Sequence, residues 1–568
     1  MKKKWSICSD YDKNSARELQ HSCSIHRIAA TLLAQRGIHT KEELNHFFEP
    51  DLARLHDPFL MKGMNEAVER ISEAITKNER ILVYGDYDVD GTTAVALLFS
   101  FLKDHTHNVC FYIPDRYKEG YGISFTGIDF AAEEKCGLII ALDCGIKSWD
   151  KIEYAKSKNI DFIICDHHLP SEKIPDAAAV LDPKQSDCPY PYKELPGCAI
   201  GFKLAHAMCI TNNIPFESLH KYLDLVAIAI AADIVPITGE NRILAYFGLK
   251  ILNQKKRPGI QALLENTKYE KEIGIHGIVF MIAPRINAAG RIDHGSKAVR
   301  LLITQNSNDA GIIAGEINQN NSDRRDLDSD ITREALAMIE NSADKLSRKS
   351  TVLFNENWHK GVVGIVASRM IEHFYRPTII LTESNGLVVG SARSVKDFDV
   401  YSAIENCGEL LEQFGGHKFA AGLTLKKENF PAFNTKFEAV VSSTIRDEQL
   451  IPREDIDMEI DFNEINDSLF ETIKKFAPHG PGNMTPVFCT RKVYDTGYAK
   501  VVSNNHLKLE LYQENNFFNK FSAIAFGMGD YLTFFQQKRN VSVCYTINEN
   551  FYNNRRTLQL NIRSIEVE

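Results

Sequence analysis

Unbroken apolar runs, each closing on an acid, mark the first half of this chain. Residues 81–84 pass through Gly85 into Asp86, residues 137–142 run into Asp143, residues 161–165 end at Asp166-His167-His168, and residues 225–232 end at Asp233. Continuous rather than alternating apolarity is what a parallel strand buried on both faces requires. Helical spacing lies between and around these runs, at 65–75 and 92–103, with a further strand at 109–113. An earlier helix over 28–35 stops before Gly37. The pattern predicts a doubly wound α/β sheet, whose ligands gather at the carboxyl ends of its strands.

The pattern changes twice in the second half. Residues 306–349 are polar and helical and read as an interdomain connection. A second α/β unit follows, with a strand at 351–354, a helix starting within 358–370, and strands at 377–381 and 387–390. Ser391 and Arg393 come directly after the last of these, and Gly415-Gly-His-Lys-Phe-Ala-Ala-Gly422 reads as a glycine-rich loop around His417. Beyond Pro452 short alternating segments at 486–494, 506–512, 522–526, 541–547 and 557–563 predict an all-β, OB-like small barrel. Lys500, Lys508, Lys520, Lys538, Arg539, Arg555 and Arg556 are interleaved there with Phe517, Phe518, Phe521, Tyr545, Phe551 and Tyr552. That mix suits phosphate pairing and base stacking, and equally a barrel whose aromatics are core.

At 568 residues the chain needs three or four cores, and its 44% hydrophobic and 25% charged fractions suit soluble globular domains. The net charge of −9 excludes a uniformly basic surface but not basic residues along one groove. None of the 12 cysteines forms a Cys-x-x-Cys pair, which argues against a zinc ribbon and for reduced thiols. Met1-Lys-Lys-Lys4 is not followed by a long apolar region, and the best membrane candidate, 223–235, carries Asp224 and Asp233. The expectation is a soluble, cytoplasmic protein.

Asp86, Asp88 and Asp90 occur at every second position. If the segment stays extended, all three carboxylates share one face and repel unless a cation lies among them. A solvated acidic turn or an N-cap cluster would explain this stretch alone. Four separate apolar segments delivering Asp or His to one sheet edge favour a single site for hard divalent cations. Arg116 and Lys118, in the polar loop 115–122, would meet an anion or only solvent. Arg285, Asn287 and Arg291, set among small residues at 283–291, suit phosphate contact or an Arg-stabilised loop.

Together, Tyr84-Gly-Asp-Tyr-Asp-Val-Asp-Gly-Thr-Thr93, Leu142-Asp-Cys-Gly-Ile146, Asp166-His-His168, Ala232-Asp-Ile-Val-Pro236, Pro284-Arg-Ile-Asn-Ala-Ala-Gly-Arg291 and the glycine-rich stretch at 415–422 resemble the DHH phosphoesterase superfamily. Within it they resemble the branch that degrades single-stranded DNA. Gly480-Pro-Gly-Asn-Met-Thr-Pro-Val-Phe488 is similar to that branch's entry into its OB domain.

The resemblance implies a layout: an N-terminal helical region (1–70) packed on a DHH catalytic domain (71–305), a connecting helix (306–349), a DHHA1 domain (350–445) and an OB-like domain (455–568). It implies two Mn²⁺ or Mg²⁺ ions held by Asp86, Asp88, Asp90, Asp143, His167 and Asp233, with His168 beside the metals or the scissile phosphate. Other DHH enzymes open their first motif with His where this chain has Tyr84.

Ser391, Arg393 and His417, with Arg116, Arg285, Asn287 and Arg291, are implied to hold the DNA backbone or its 5′ phosphate. The implied activity is 5′-to-3′ hydrolysis of single-stranded DNA to 5′-mononucleotides, in repair and recombination. A single-strand-binding protein and a helicase are the implied partners, and a cleft between the two α/β domains would admit one strand. Two alternatives stand beside this: a pyrophosphatase or short-oligonucleotide hydrolase of the same superfamily, which needs no basic, aromatic barrel, and a non-catalytic nucleic-acid adaptor, which needs no intact acid cluster.

Overall fold

The computed structural model describes all residues except 1–2, 266, 268, 270–271, 504, 515, 538, 553–554 and 568, so Lys538 lies outside the described residues. The chain forms two compact units. One comprises 50–327 with 478–483; the other comprises 1–49, 328–477 and 484–568.

The first unit is built on a parallel five-stranded sheet. Its order is Val109–Tyr112, Arg80–Gly85, Cys136–Leu142, Asp161–Cys165 and Ala179–Leu181. In chain order this is 2-1-3-4-5, a doubly wound topology whose switch point lies between the first and third strands. Successive residues feed opposite cores, which accounts for the continuous apolar runs. Ile81, Val83, Leu138, Ile140 and Ile163 enter one core, while Leu82, Tyr84, Ile139, Ala141 and Ile164 enter the other.

The second unit holds two sheets of interest. One runs Gln413–His417, Ala420–Leu425, Leu387–Arg393, Thr378–Ser384 and Thr351–Phe354, antiparallel except for its last pair. The other is the barrel. Phe488–Asp495, Val541–Tyr552, Arg555–Val567, Asn516–Ala525 and His506–Gln513 follow one another, and pairing of the last with the first closes the ring. Phe521 and Tyr545 belong to its core, whereas Phe517, Phe518 and Phe551 are exposed, so the aromatic series divides into two populations.

Several expectations are corrected. The run at 225–232 is a helix, Leu223–Ala232, buried all round and therefore without a periodic signature. The segment 283–291 is no loop but the helix Ala283–Ile292, entered through a π-helical turn at Ile278–Ile282. The glycine-rich stretch is a hairpin, Gln413–His417 with Ala420–Leu425, in which a Cβ on Gly416 would lie 2.4 Å from the Ala420 carbonyl oxygen. Ser391 and Arg393 lie inside the strand Leu387–Arg393, not after it.

The connection is the long helix Ser307–Glu340, followed by a short one at Ala343–Ser347. The implied N-terminal region 1–70 divides: Leu55, Met61, Met64, Ala67 and Val68 enter the core of the first unit, while the helices within 1–49 belong to the second. Leu19, Ile28, Leu32, Leu33, Leu44 and Phe47 share a core with Phe476, Phe488 and the barrel strands, and Lys4–Ile7 pairs in parallel with Arg453–Ile456. The apolar faces of those helices complete the barrel's core, and the strand pairing joins residues more than 400 apart, which local pattern does not encode. Among the described residues no helix is long and apolar enough to cross a membrane.

Candidate metal centre

At the carboxyl ends of the first and third strands the chain turns sharply. The three alternating acids do not stay on one extended face. Asp86 follows the last strand residue, Gly85; Asp88 caps the helix Val89–Lys103 by accepting from Gly91 N (3.0 Å), and Asp90 lies in that helix's first turn. Gly91 is needed because a Cβ there would meet Asp86 backbone atoms at 2.4–2.8 Å. Asp90 is fixed by a second helix end: Gly197 N and Cys198 N donate to its carboxylate at 2.6 and 2.8 Å. Asp143 adopts a left-handed conformation, φ 61°, and the Gly197 Cα packs against it so closely that a Cβ would lie 2.6 Å from the Asp143 Cβ.

These turns bring the predicted groups together. His167 Nε2 lies 3.1 Å from Asp143 Oδ1 and 3.7 Å from both Asp90 Oδ2 and Asp233 Oδ2. Asp90, His167 and Asp233 converge as one potential ligand set, and Asp143, His167 and His168 as another. Asp86 completes the wall: Gly122 N donates to its Oδ1 at 3.1 Å, and its buried Oδ2 has no hydrogen-bond partner among the described residues. Buried Tyr84 holds the same loop, its hydroxyl donating to the Gly122 carbonyl (2.9 Å) and accepting from Ser124 N (3.1 Å).

Burial, then neighbouring carboxylates, push Asp86, Asp90 and Asp143 well above the usual carboxylate range. Asp233 is pushed up to about 7 by burial and then Asp88. His167 is pushed down to about 3, chiefly by burial and then by His168, so its imidazole is neutral and able to ligate. Among the described residues the buried Asp143 Oδ2 and His167 Nδ1 also lack hydrogen-bond partners. A buried, mutually repelling, partly unsatisfied set of oxygen and imidazole donors fits hard divalent cations.

Asp166, which the ligand set omits, has another task. It accepts from His167 N (2.8 Å), His168 N (3.2 Å) and Ile146 N (2.8 Å), and pairs with His168 Nδ1 at 2.7 Å. Although burial opposes it, these bonds hold its carboxyl down at about 2. His168 is raised above its ordinary value by Asp166, again against burial, and its Nε2 lies 3.2 Å from the Tyr121 hydroxyl. Tyr121 went unnoticed because nothing in its local sequence marks it. Asp166 was legible as the first letter of its triplet, but its bonds are not.

The expected anion contacts fall in three places. Arg116 lies over the Tyr87 ring at 4.8 Å, while the Tyr117 hydroxyl donates to the Arg291 carbonyl, so the loop and the helix Ala283–Ile292 meet beside Asp86–Asp88. Arg285 is held by Asn318 Oδ1 (2.8 Å) and the Met281 carbonyl (2.6 Å), and Asn287 is half-buried on the same helix.

In the other unit, Arg393 and His417 flank Ala420 in one cross-strand row, and Ser391, Gly422 and Gly415 form the next on the same face. Arg393 Nη1 donates to Ser391 Oγ at 2.7 Å, and a Cβ on Gly364, near the start of the helix Val363–His373, would lie 3.0 Å from both side chains. A helix N-terminus, a hydroxyl and a guanidinium thus face a floor of glycines, an arrangement suited to an anion.

Residues 80–230 match the DHH family, N-terminal domain; residues 348–443 match the DHHA1 domain; residues 456–564 match the RecJ OB domain. The chain is 35% identical over its full length to the single-stranded-DNA-specific exonuclease RecJ of Bacillus subtilis, covering 71% of that protein. It is 32% identical over 99% of both chains to the protein of the same name from Dickeya dadantii. Among solved structures it resembles RecJ in complex with Mn²⁺ from Thermus thermophilus, with TM-score 0.85 and 27% identity over 99% of this chain and 79% of that one.

Proposed function

The chain belongs to the RecJ family of single-stranded-DNA-specific exonucleases, and from that membership we propose that it hydrolyses single-stranded DNA from the 5′ end with divalent metal ions, releasing 5′-mononucleotides. The observation that carries the reading is the convergence of Asp90, Asp143, His167 and Asp233 at one sheet edge, with buried oxygens left unpartnered. Those four residues, with Asp86 and Asp88, would hold two Mn²⁺ or Mg²⁺ ions. Bound there, such ions supply Lewis acidity at a phosphoryl oxygen and lower the pKa of water toward neutrality.

The chain's own groups do the rest. His168, whose charged form Asp166 favours against the effect of burial, presents Nε2 to a phosphate oxygen and favours the developing negative charge. Arg116 and Arg291 bind backbone phosphates beside the centre. Ser391, Arg393 and His417 take the terminal 5′ phosphate, which sets polarity by binding one end of the strand; Arg285 and Asn287 bind backbone phosphate. The barrel's exposed Phe517, Phe518 and Phe551, with Lys520 over the Phe517 ring at 3.8 Å, stack bases and neutralise phosphates. A repair and recombination role, in the cytoplasm and alongside a single-strand-binding protein and a helicase, follows from the same membership.

The test uses purified protein with Mn²⁺, wild type beside Asp143→Ala, on single strands labelled at either end and on a blunt duplex. The expected result is mononucleotide released from the 5′ end of the single strand alone and absent in the variant. Intact single strands together with consumption of pyrophosphate or dinucleotides would overturn the substrate while leaving the metal centre. Release from the 3′ end would overturn the polarity.

A further inference from the structure

The fifth strand of the parallel sheet, Ala179–Leu181, ends beside the strand that carries His167 and His168, where Asp166 N donates to the Leu181 carbonyl at 3.0 Å. The turn that follows is rigid. Asp182 is fully buried and accepts from Lys184 N at 2.7 Å. Buried Gln185 closes the turn, donating its side-chain amide to the carbonyls of Val180 (3.0 Å) and Asp182 (3.3 Å) and its backbone N–H to the Asp182 carbonyl (3.3 Å). Lys184 is presented by this turn, half-buried, at the metal-bearing edge of the sheet.

Its ammonium makes no ion pair or hydrogen bond among the described residues. Leu181, three residues before Lys184, pairs with Cys165 in register, so the turn stands next to the strand end that leads into Asp166, His167 and His168. A lysine beside this many carboxylates ordinarily pairs with one of them. A cation held at that edge by a buried turn, but committed to none of the acids, is placed for an anion that comes from outside. Lysine serves phosphates as a compact point charge with no fixed geometry.

We propose that Lys184 is a catalytic residue of this site, its ammonium contacting the phosphate of the strand bound at the metal centre. The proposal rests on the exonuclease reading above. It assigns Lys184 charge neutralisation at the phosphate and leaves metal holding to the acids and His167. Removing the ammonium therefore weakens the hold on the strand without weakening the hold on the ion, since a cation near the carboxylates opposes a metal.

Lys184→Met and Lys184→Arg are compared with wild type by equilibrium binding of a nuclease-resistant phosphorothioate oligothymidylate in Mn²⁺ over a range of KCl concentrations. Mn²⁺ titration without the strand and the thermal midpoint are measured alongside. In Lys184→Met the affinity for the strand should fall about 10-fold, and the slope of log K against log salt should decrease by about 0.7, one phosphate's share for a single strand. Lys184→Arg should recover most of both, while Mn²⁺ binds as tightly as in wild type or tighter and the midpoint stays unchanged.

An unchanged slope and affinity in Lys184→Met would overturn the contact. So would a loss of Mn²⁺ affinity or thermal midpoint that accompanies the loss of strand binding, which would make the residue structural. If wild type releases no nucleotide from either labelled end, the exonuclease reading falls on its own account. If wild type is active and Lys184→Met equals it throughout, only the Lys184 assignment falls.

Discussion

Asp166 shows how one buried carboxylate positions its neighbours, through bonds to Ile146 N, His167 N, His168 N and His168 Nδ1. Its carboxyl is held at about 2, below the ordinary 3.8, so ionised Asp166 stabilises the fold. The sign follows: the contribution is present in full above the unfolded pKa and is lost as pH falls through the folded one. At 1.36 kcal/mol per unit it amounts to roughly 2 kcal/mol. Asp166→Asn should lower the urea midpoint at neutral pH, and the gap from wild type should narrow as pH falls from about 5 toward about 2. His168 works the other way, its raised pKa favouring the charged form until pH rises through it. The variant should therefore also move the basic limb of the kcat/KM profile to lower pH. A limb that does not move would deny His168 its cationic role.

Among elements, the strand ends were the most legible part of the sequence. Buried parallel strands leave continuous apolar runs, and an acid after such a run stands at a sheet edge whatever its helices do. The helix Leu223–Ala232 was legible as a buried segment but not as a helix, because a segment buried on every side has no period. The hairpin Gln413–Leu425 was hidden by its glycines, which resemble loop residues although the close pass of Ala420 and Ala421 is what demands Gly416. Likewise the bonds from Gly197 and Cys198 to Asp90 join residues more than 100 apart and leave no local mark.

One helix gives an element-scale test. Gly364→Ala should raise helix stability by up to about 1 kcal/mol, as Gly to Ala does in a helix. Its methyl group would at the same time crowd Arg393 and Ser391. The expected outcome is an unchanged or higher thermal midpoint with roughly 10-fold weaker binding of a 5′-phosphorylated strand, about the worth of one charge-assisted hydrogen bond. Equal affinity for strands with and without the phosphate, in wild type and variant alike, would remove this face from end recognition.

At the scale of the whole chain, the boundaries read from sequence separate what the fold joins. The OB-like domain is not a terminal appendage, since its core is completed by Leu19, Ile28, Leu33 and Phe47. Residues 478–483 belong to the unit that carries the metal centre, where Ile237 N donates to the Pro481 carbonyl at 2.7 Å. Deleting 455–568 should therefore abolish hydrolysis even of very short oligonucleotides and leave an aggregating chain. Replacing exposed Phe517, Phe518 and Phe551 with Ala should spare short substrates and weaken binding to long single strands, each lost stack costing about 1–3 kcal/mol. A soluble, active deletion protein would show the barrel to be an independent module after all.

The parallel pairing of Lys4–Ile7 with Arg453–Ile456 also imposes a schedule. A ribosome adding about 5–20 residues per second needs roughly 20–90 seconds to supply that partner. For that interval the N-terminal helices have been made and have no core to enter. Their apolar faces stay uncovered in the nascent chain until the barrel residues they pack against have been made, so the order of synthesis limits when this protein can finish folding.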